Sequence, residues 1–254
     1  LMITNGSLIY GYARELVEAG LDELNISLDG KSQLHDDIRQ MPGLYERITL
    51  GIKKVNQIKK ELRCNKPLIN LQCTVNRDNY LRLEEMVEVA DELGADSLTY
   101  HNLIFTTTKV LAKQKEADIK LDASSKDWEG FAFASGIDAE ALFNKFKLIA
   151  AIPHKFNIDF YPNFSSKALI DYYNNPDYIP KGYPCRCLSP WIVAYVFADG
   201  QIKPCLNSSY SFGDISKSGF MQAWNSPKAI RFRKLLKENG MFAACVRCTE
   251  LYRY

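Results

Sequence analysis

The sequence contains no block of like charge: over 254 residues, 32 Lys and Arg nearly balance 30 Asp and Glu. An extended phosphate-binding surface is not expected, and neither is nucleic acid as a partner. Long apolar runs are missing as well. The stretch Trp191 to Ala198 is one of the longest and falls far short of the roughly 20 residues of a spanning helix. No charged-then-apolar leader precedes it, so the expectation is a soluble, cytoplasmic protein with no membrane partner. An initiator methionine is also absent. Leu1-Met2-Ile3-Thr4-Asn5-Gly6 reads as an apolar strand running straight into a turn, the pattern of a chain that continues upstream, and the sequence reads as a fragment. What is present is bulk: 46% hydrophobic content buries one large core, or one core plus a small appended module.

Along the chain, short apolar runs alternate with helical stripes. Leu1–Thr4, Leu24–Leu28, Leu68–Val75 and Asp96–His101 read as strands. The stripes between them are Ile9, Tyr12, Leu16 and Val17; Ile48, Ile52, Val55 and Ile58; and Leu83, Met86, Val87 and Ala90. Such alternation predicts an α/β fold with parallel strands and outer helices. Polar residues gather where the strands end: Thr4 and Asn5, Ser27 and Asp29, Asn76 and Arg77, His101 and Asn102. Turn chemistry accounts for any one of these pairs. Four in series point to a ligand site at the C-terminal ends of the strands.

Beyond His101 the pattern weakens. Residues 106–136 mix polar positions with Trp128, Phe131 and Phe133 over a length unusual for a connection, suggesting an insertion that covers a substrate. A helix with Leu142, Phe143, Phe146 and Ile149 follows, then a short strand over Phe156–Tyr161. From about Lys167, Tyr172, Tyr173, Tyr178 and Tyr183 are interleaved with Pro176, Pro180 and Pro184, as in an extended linker. The expected domains are therefore 1–166, a linker over 167–184, and a small module over 185–254.

Five of the seven cysteines lie in that last module: Cys185, Cys187, Cys205, Cys245 and Cys248. The others, Cys64 and Cys73, are isolated, and Cys73 within a strand reads as a small buried apolar residue. Asp199-Gly200 between apolar segments predicts a hairpin that draws Cys187 toward Cys205. A helix with Ile230, Leu235 and Leu236 then leads to Cys245-Val246-Arg247-Cys248. Two single cysteines and one C-x-x-C supply the four ligands of a cubane cluster or of tetrahedral zinc. Spacing alone does not separate iron from zinc; disulfides suit a reducing compartment poorly.

Several of these segments resemble radical S-adenosylmethionine (SAM) enzymes. Leu1–Gly6 and Asn25-Ile26-Ser27-Leu28-Asp29-Gly30, followed by His35-Asp36-Asp37-Ile38-Arg39, are similar to the third and fourth strands of that superfamily. The tail is similar to its SPASM/twitch extension: Cys187-Leu-Ser-Pro-Trp191, Asp199-Gly-Gln-Ile-Lys-Pro-Cys205, Phe212-Gly-Asp-Ile215, Ala223-Trp-Asn-Ser226 and Cys245-Val-Arg-Cys248. The resemblance implies a partial (β/α)6 radical SAM barrel lacking its first two strands, with a β-hairpin and helix module after it. It also implies an auxiliary [4Fe-4S] cluster on Cys187, Cys205, Cys245 and Cys248, with Cys185 as the alternative first ligand. One cluster, the twitch form, fits a chain that ends six residues after Cys248.

The C-x-x-x-C-x-x-C triad that binds the SAM-cleaving cluster in this superfamily does not occur, nor does the Gly-Gly-Glu segment that grips the SAM amino group. As written, the chain is expected not to cleave SAM. For the intact protein the resemblance implies SAM, a second [4Fe-4S] cluster, hydrogen abstraction from an unknown peptide or small molecule, and a reductant such as a flavodoxin or ferredoxin. Thr4 and Ser27 match positions that contact SAM, and Asn5, Asp29 and Asn76 would shape the same pocket. Arg39 would bind a carboxylate or stand as a solvated helix charge. The competing expectation is a non-catalytic metal-binding or electron-transfer module with structural zinc or a single cluster.

Overall fold

The computed structural model describes residues 1–253. In chain order they form β1 (Met2–Thr4), α1 (Ile9–Glu18), β2 (Glu23–Ser27), α2 (Gln33–Arg39), α3 (Leu44–Glu61), β3 (Leu68–Thr74), α4 (Glu85–Leu93) and β4 (Ser97–His101). Next come α5 (Thr108–Leu121), a 3-10 turn over Lys126–Phe131, α6 (Ala139–Ala151), β5 (Asn157–Tyr161) and α7 (Ser166–Asn174). The remainder holds α8 (Ser189–Ile192), β6 (Tyr195–Val196), β7 (Gln201–Lys203), β8 (Gly213–Asp214), α9 (Ile215–Ser218), α10 (Phe220–Trp224), α11 (Pro227–Asn239) and 3-10 turns over Ala243–Arg247 and Thr249–Tyr252. The chain divides into two compact units, Leu1–Leu103 with Ser135–Leu169, and Ile104–Ala134 with Ile170 onward.

The first unit is the expected α/β fold. Its strands are all parallel and lie in the order β1-β2-β3-β4-β5. Leu24, Ile26, Ile69, Leu71, Leu98 and Tyr100 are fully buried on one face. The stripes Ile48, Ile52, Val55 and Ile58 of α3, and Met86, Val87 and Ala90 of α4, are buried as their spacing predicts; each large side chain so covered contributes roughly 1.5–3 kcal/mol. The α1 stripe is displaced from the expected one. Ile9, Ala13 and Val17 are buried while Tyr12 is 57% exposed. Close approach to α3 is the reason, since a Cβ at Gly51 would stand 3.0 Å from the Ile9 Cβ.

The other face of this sheet is polar. Register places Ile3, Asn25, Asn70, Ser97 and Asn157 in one row, Ser27, Gln72, Thr99 and Asp159 in the next, and Thr74, His101 and Tyr161 in the last. Parallel strands buried on both faces read as continuous apolar runs. Here β2, β3 and β4 alternate instead.

The second unit is built on Leu121, Ile202, Tyr210, Phe212, Ala223, Ala229, Phe232, Leu236 and Phe242. Its three short strands are antiparallel in the order β6-β7-β8, and Asp199-Gly200 makes the expected turn with Gly200 at φ +81°. Ile192, in the apolar stretch before that turn, is helical. The expected helix is α11; its buried stripe is Ala229, Phe232 and Leu236, and Ile230 is 60% exposed. Most of the segment 106–136, expected as an insertion in the barrel, groups with this unit as part of Ile104–Ala134, and Leu121 of α5 joins its core. The segment expected as an extended linker begins with α7, and Tyr172, Tyr173 and Tyr178 are buried.

Candidate metal centre

Cys187, Cys205, Cys245 and Cys248 line one cavity of about 50 Å³ in the second unit. Three separate pieces of chain bring them there. Cys187 precedes α8, where Pro190 sits in the first turn, and its N–H donates to the Gly240 carbonyl at 3.2 Å. Gly240 has φ +73°, and a Cβ there would meet the Cys185 carbonyl at 2.7 Å, so the residue must be glycine for these segments to lie together. Cys205 follows β7. Cys245 and Cys248 are held by successive 3-10 turns, with Cys245 N–H donating to Phe242 O and Cys248 N–H to Cys245 O, both at 3.0 Å.

Burial pushes all four thiols above the ordinary range, Cys205 to about 12 and Cys248 to about 11. For Cys245, charge on Cys248, Cys187 and Cys205 adds to the effect. Against this, backbone hydrogen bonds from Ser189, Asn207, Phe242 and Glu250 favour the thiolate at Cys187, Cys205, Cys245 and Cys248 respectively. The unloaded set is therefore protonated near neutrality, and loading a metal group releases protons. Cys185 is exposed, and its Sγ donates to the Pro180 carbonyl at 3.6 Å; it is not among the residues of this cavity. Cys64 is exposed and Cys73 fully buried in β3.

The cavity fits a compact inorganic group. Its space equals that of a few water molecules, and Trp128, Phe232, Phe242 and Leu251 form apolar walls around the thiols. Among the described residues, no three His, Cys, Asp or Glu side chains converge as ligands of a single ion. Sulfurs around one zinc at about 2.3 Å must crowd together, whereas thiols on separate irons of a cluster stand farther apart. Trp128, expected as part of a lid, is 6% exposed and belongs to this wall.

In the first unit, the other expected ligand residues are held by their own neighbours. Asn5 Oδ1 accepts from the Ser7 N–H and hydroxyl at 3.1 and 2.9 Å. Asn76 Oδ1 accepts from the N–H groups of Asp78 and Asn79. Both are turn residues. Thr4 Oγ1 accepts from the Gly6 N–H at 3.1 Å. Asp29 is almost fully buried, with Oδ1 accepting from the Thr74 N–H at 2.8 Å and Oδ2 pairing with Arg39 Nε at 2.5 Å. The Arg39 guanidinium thus has a carboxylate partner within the protein at its Nε, while its side chain stays one third exposed. Ser27 ends β2 on the polar face. His101 is hydrogen-bonded to Gln72 Oε1 at 2.6 Å. The polar ladder beside it, Ser97 to Asn70 to Asn25, escaped the sequence reading; strict alternation in β2 to β4 was the available signal.

The SPASM family, an iron-sulfur cluster-binding domain, matches residues 185–249. The chain is 23% identical to the tungsten-containing aldehyde ferredoxin oxidoreductase cofactor-modifying protein of Pyrococcus furiosus, over 97% of this chain and 64% of that one. It is 27% identical to the AdoMet-dependent heme synthase of Methanosarcina barkeri, over 98% of this chain and 66% of that one. The chain thus spans about two thirds of the length of these relatives. Its fold is similar to that of anSMEcpe with bound AdoMet, with a TM-score of 0.51, 17% identity, and 92% of this chain and 58% of that one covered. It is also similar to Streptococcus suis SuiB bound to the precursor peptide SuiA, with a TM-score of 0.52, 14% identity, and 98% and 52% covered. A domain whose family binds iron–sulfur clusters thus coincides with the four-thiol cavity, and among the described residues no helix is long and apolar enough to cross a membrane. Residues 185–249 thus match a SPASM iron–sulfur cluster-binding domain, and the relatives that span nearly the whole chain support its resemblance to radical SAM enzymes.

Proposed function

We propose that the protein is a radical SAM enzyme with an auxiliary [4Fe-4S] cluster on Cys187, Cys205, Cys245 and Cys248. The observation that carries this reading is the convergence of the four cysteines on one walled cavity within the SPASM match. Backbone hydrogen bonds would favour the four thiolates in a loaded site, and Phe232, Phe242 and Leu251 would give it apolar walls. A cluster at this place supplies one-electron transfer, and SAM with a second cluster, in the full-length protein, supplies hydrogen abstraction by a 5′-deoxyadenosyl radical. Thr4 and Ser27 contribute SAM contacts at the ends of β1 and β2.

The polar sheet face orients a hydrogen-bonding substrate through Gln72, Thr99, His101 and Asp159. A peptide or a small cofactor precursor satisfies that face. Peptide binding by SuiB and the cofactor and heme chemistry named for the relatives support the two classes equally.

Anaerobic reconstitution of this chain, with iron, sulfide and zinc assayed per polypeptide, tests the reading. About four irons and four sulfides are expected, lost in Cys245→Ala/Cys248→Ala. One zinc without sulfide would leave a structural metal module and remove the cluster.

A further inference from the structure

We infer that the exposed face of α11 is the docking surface through which a small acidic one-electron carrier protein reduces the cluster. This rests on the cluster reading above. In α11, Lys228, Arg231, Arg233, Lys234 and Lys237 stand against a single acid, Glu238, so this one helix has a net charge of +4 in a chain whose total is +2. Charge that is balanced over the whole chain is therefore concentrated here.

The cations are arranged for an outside partner. Arg233 is engaged inward, its Nε donating to Pro190 O and its Nη1 to Trp224 O, both at 2.8 Å. Lys228, Arg231, Lys234 and Lys237 are exposed. Among the described residues none of these four is in a salt bridge. Arg231 Nη2 donates to the Lys120 carbonyl, but like charges along a helix destabilise it by a few tenths of a kcal/mol per pair, and no carboxylate among the described residues offsets that cost. Ile230, 60% exposed in the midst of the lysines, gives the face an apolar centre with a charged rim, the anatomy of a transient interface.

The opposite face of the same helix reaches the redox site. Phe232 is 4% exposed and forms part of the cysteine cavity wall, and its ring stands 5.6 Å from that of Phe242, another wall residue. An electron entering at the lysines has about one helix diameter, roughly 10 Å, to cross. Basic faces also suit nucleic acid or anionic lipid, but neither explains why the helix that bears the charge also walls the thiols. Acidic carriers are drawn to such a face by steering that falls with ionic strength. The step moves one electron only: the carrier is oxidised by one, the cluster is reduced by one, and no proton or group is exchanged.

The test is the reduction rate of the reconstituted chain by reduced flavodoxin and reduced ferredoxin, followed anaerobically by stopped flow at low and high salt. Three proteins are compared: the parent, Lys228→Glu/Arg231→Glu/Lys234→Glu/Lys237→Glu, and a control reversing Lys53, Lys60, Lys155 and Lys167, which are exposed elsewhere. The α11 variant is expected to lose about tenfold or more of the carrier rate at low salt, and most of its salt dependence. The control keeps both to within the change expected from net charge, and dithionite reduces all three equally. An unchanged carrier rate in the α11 variant overturns the proposal, and a loss of binding to anionic vesicles or DNA in that case reassigns the surface. Absence of iron and sulfide from the parent, measured before any carrier is added, removes the cluster reading and the proposal with it.

Discussion

Gln114 Oε1 accepts a hydrogen bond from the Ala244 N–H at 3.0 Å, across 130 positions of sequence. The same side chain donates to Asp118 Oδ1 at 3.0 Å and to Ser125 Oγ at 3.3 Å, and the Ser125 hydroxyl donates to Asp118 Oδ1 at 2.8 Å. The residue before Cys245 is thus fixed to α5 by a buried amide. Gln114→Leu leaves a buried N–H unpaired and is expected to cost about 1–3 kcal/mol, read as a lower denaturation midpoint of the unloaded protein. Gln114→Glu keeps an acceptor for the Ala244 N–H but sets a buried carboxylate against that of Asp118, and is expected to cost at least as much at neutral pH and to recover part of that as the pH falls.

The two candidate first ligands are distinguishable. Cys187→Ala is expected to lower cluster iron and change the cluster's electron paramagnetic resonance spectrum after reduction. Cys185→Ala is expected to retain about four irons per chain, because Cys185 is turned to the Pro180 carbonyl. The opposite result would exchange their roles.

Arg247, between the two cysteines of the C-x-x-C, is 2% exposed. Its Nη2 donates to Tyr172 O at 2.9 Å and Asn175 O at 2.8 Å, and its guanidinium lies 4.1 Å from the Phe105 ring centroid. Burial lowers its pKa from the ordinary value. Arg247→Ala is expected to cost about 3 kcal/mol or more through the emptied space and lost cation–π contact. Arg247→Lys recovers only part, since one ammonium does not reproduce a planar fork. Thermal unfolding of the three proteins checks the order.

Acid is expected to weaken the first unit near pH 6. His35 is fully buried, its Nδ1 accepts from the Asp29 N–H at 3.0 Å, and its Nε2 has no partner. Burial holds its pKa below the ordinary 6.5; Asp29 and Asp36 oppose that shift, and Arg39 reinforces it. Burial lowers His101 in the same sense. The unfolded chain binds these protons first, so stability is complete above about pH 6.5 and falls below it, by up to about 1.4 kcal/mol per pH unit for each histidine. Urea midpoints at pH 7.5 and 5.5 measure the slope. His35→Asn, which keeps an acceptor for the Asp29 N–H, is expected to flatten it.

Strands and the long helices were legible because each buries its own local pattern, as Ile48, Ile52, Val55 and Ile58 do. The four cysteines were legible because C-x-x-C and a hairpin are local devices. What failed depended on partners distant in sequence. The inward face of α1 follows from Ala13 and the lack of a side chain at Gly51, a packing match that neither helix reveals alone. Arg39 finds Asp29 ten positions earlier, across a turn the sequence does not specify. The affiliation of α5 rests on Gln114 and Leu121 meeting residues more than 80 positions later, for which no periodicity exists.

That affiliation bears on how the module can be handled. The family match is a single stretch, 185–249, yet Leu121 completes its core and Trp128 its cavity wall. A piece cut at residue 185 would leave that core open to water and the Ala244 N–H unpaired, and is expected to aggregate when expressed alone. Transplanting the module to another protein requires its two discontinuous parts together. Inheritance has the same constraint: an exchange of tails between related genes must keep Thr108–Leu121 compatible with the incoming partner, so the middle of the chain and its end are bound to change in concert.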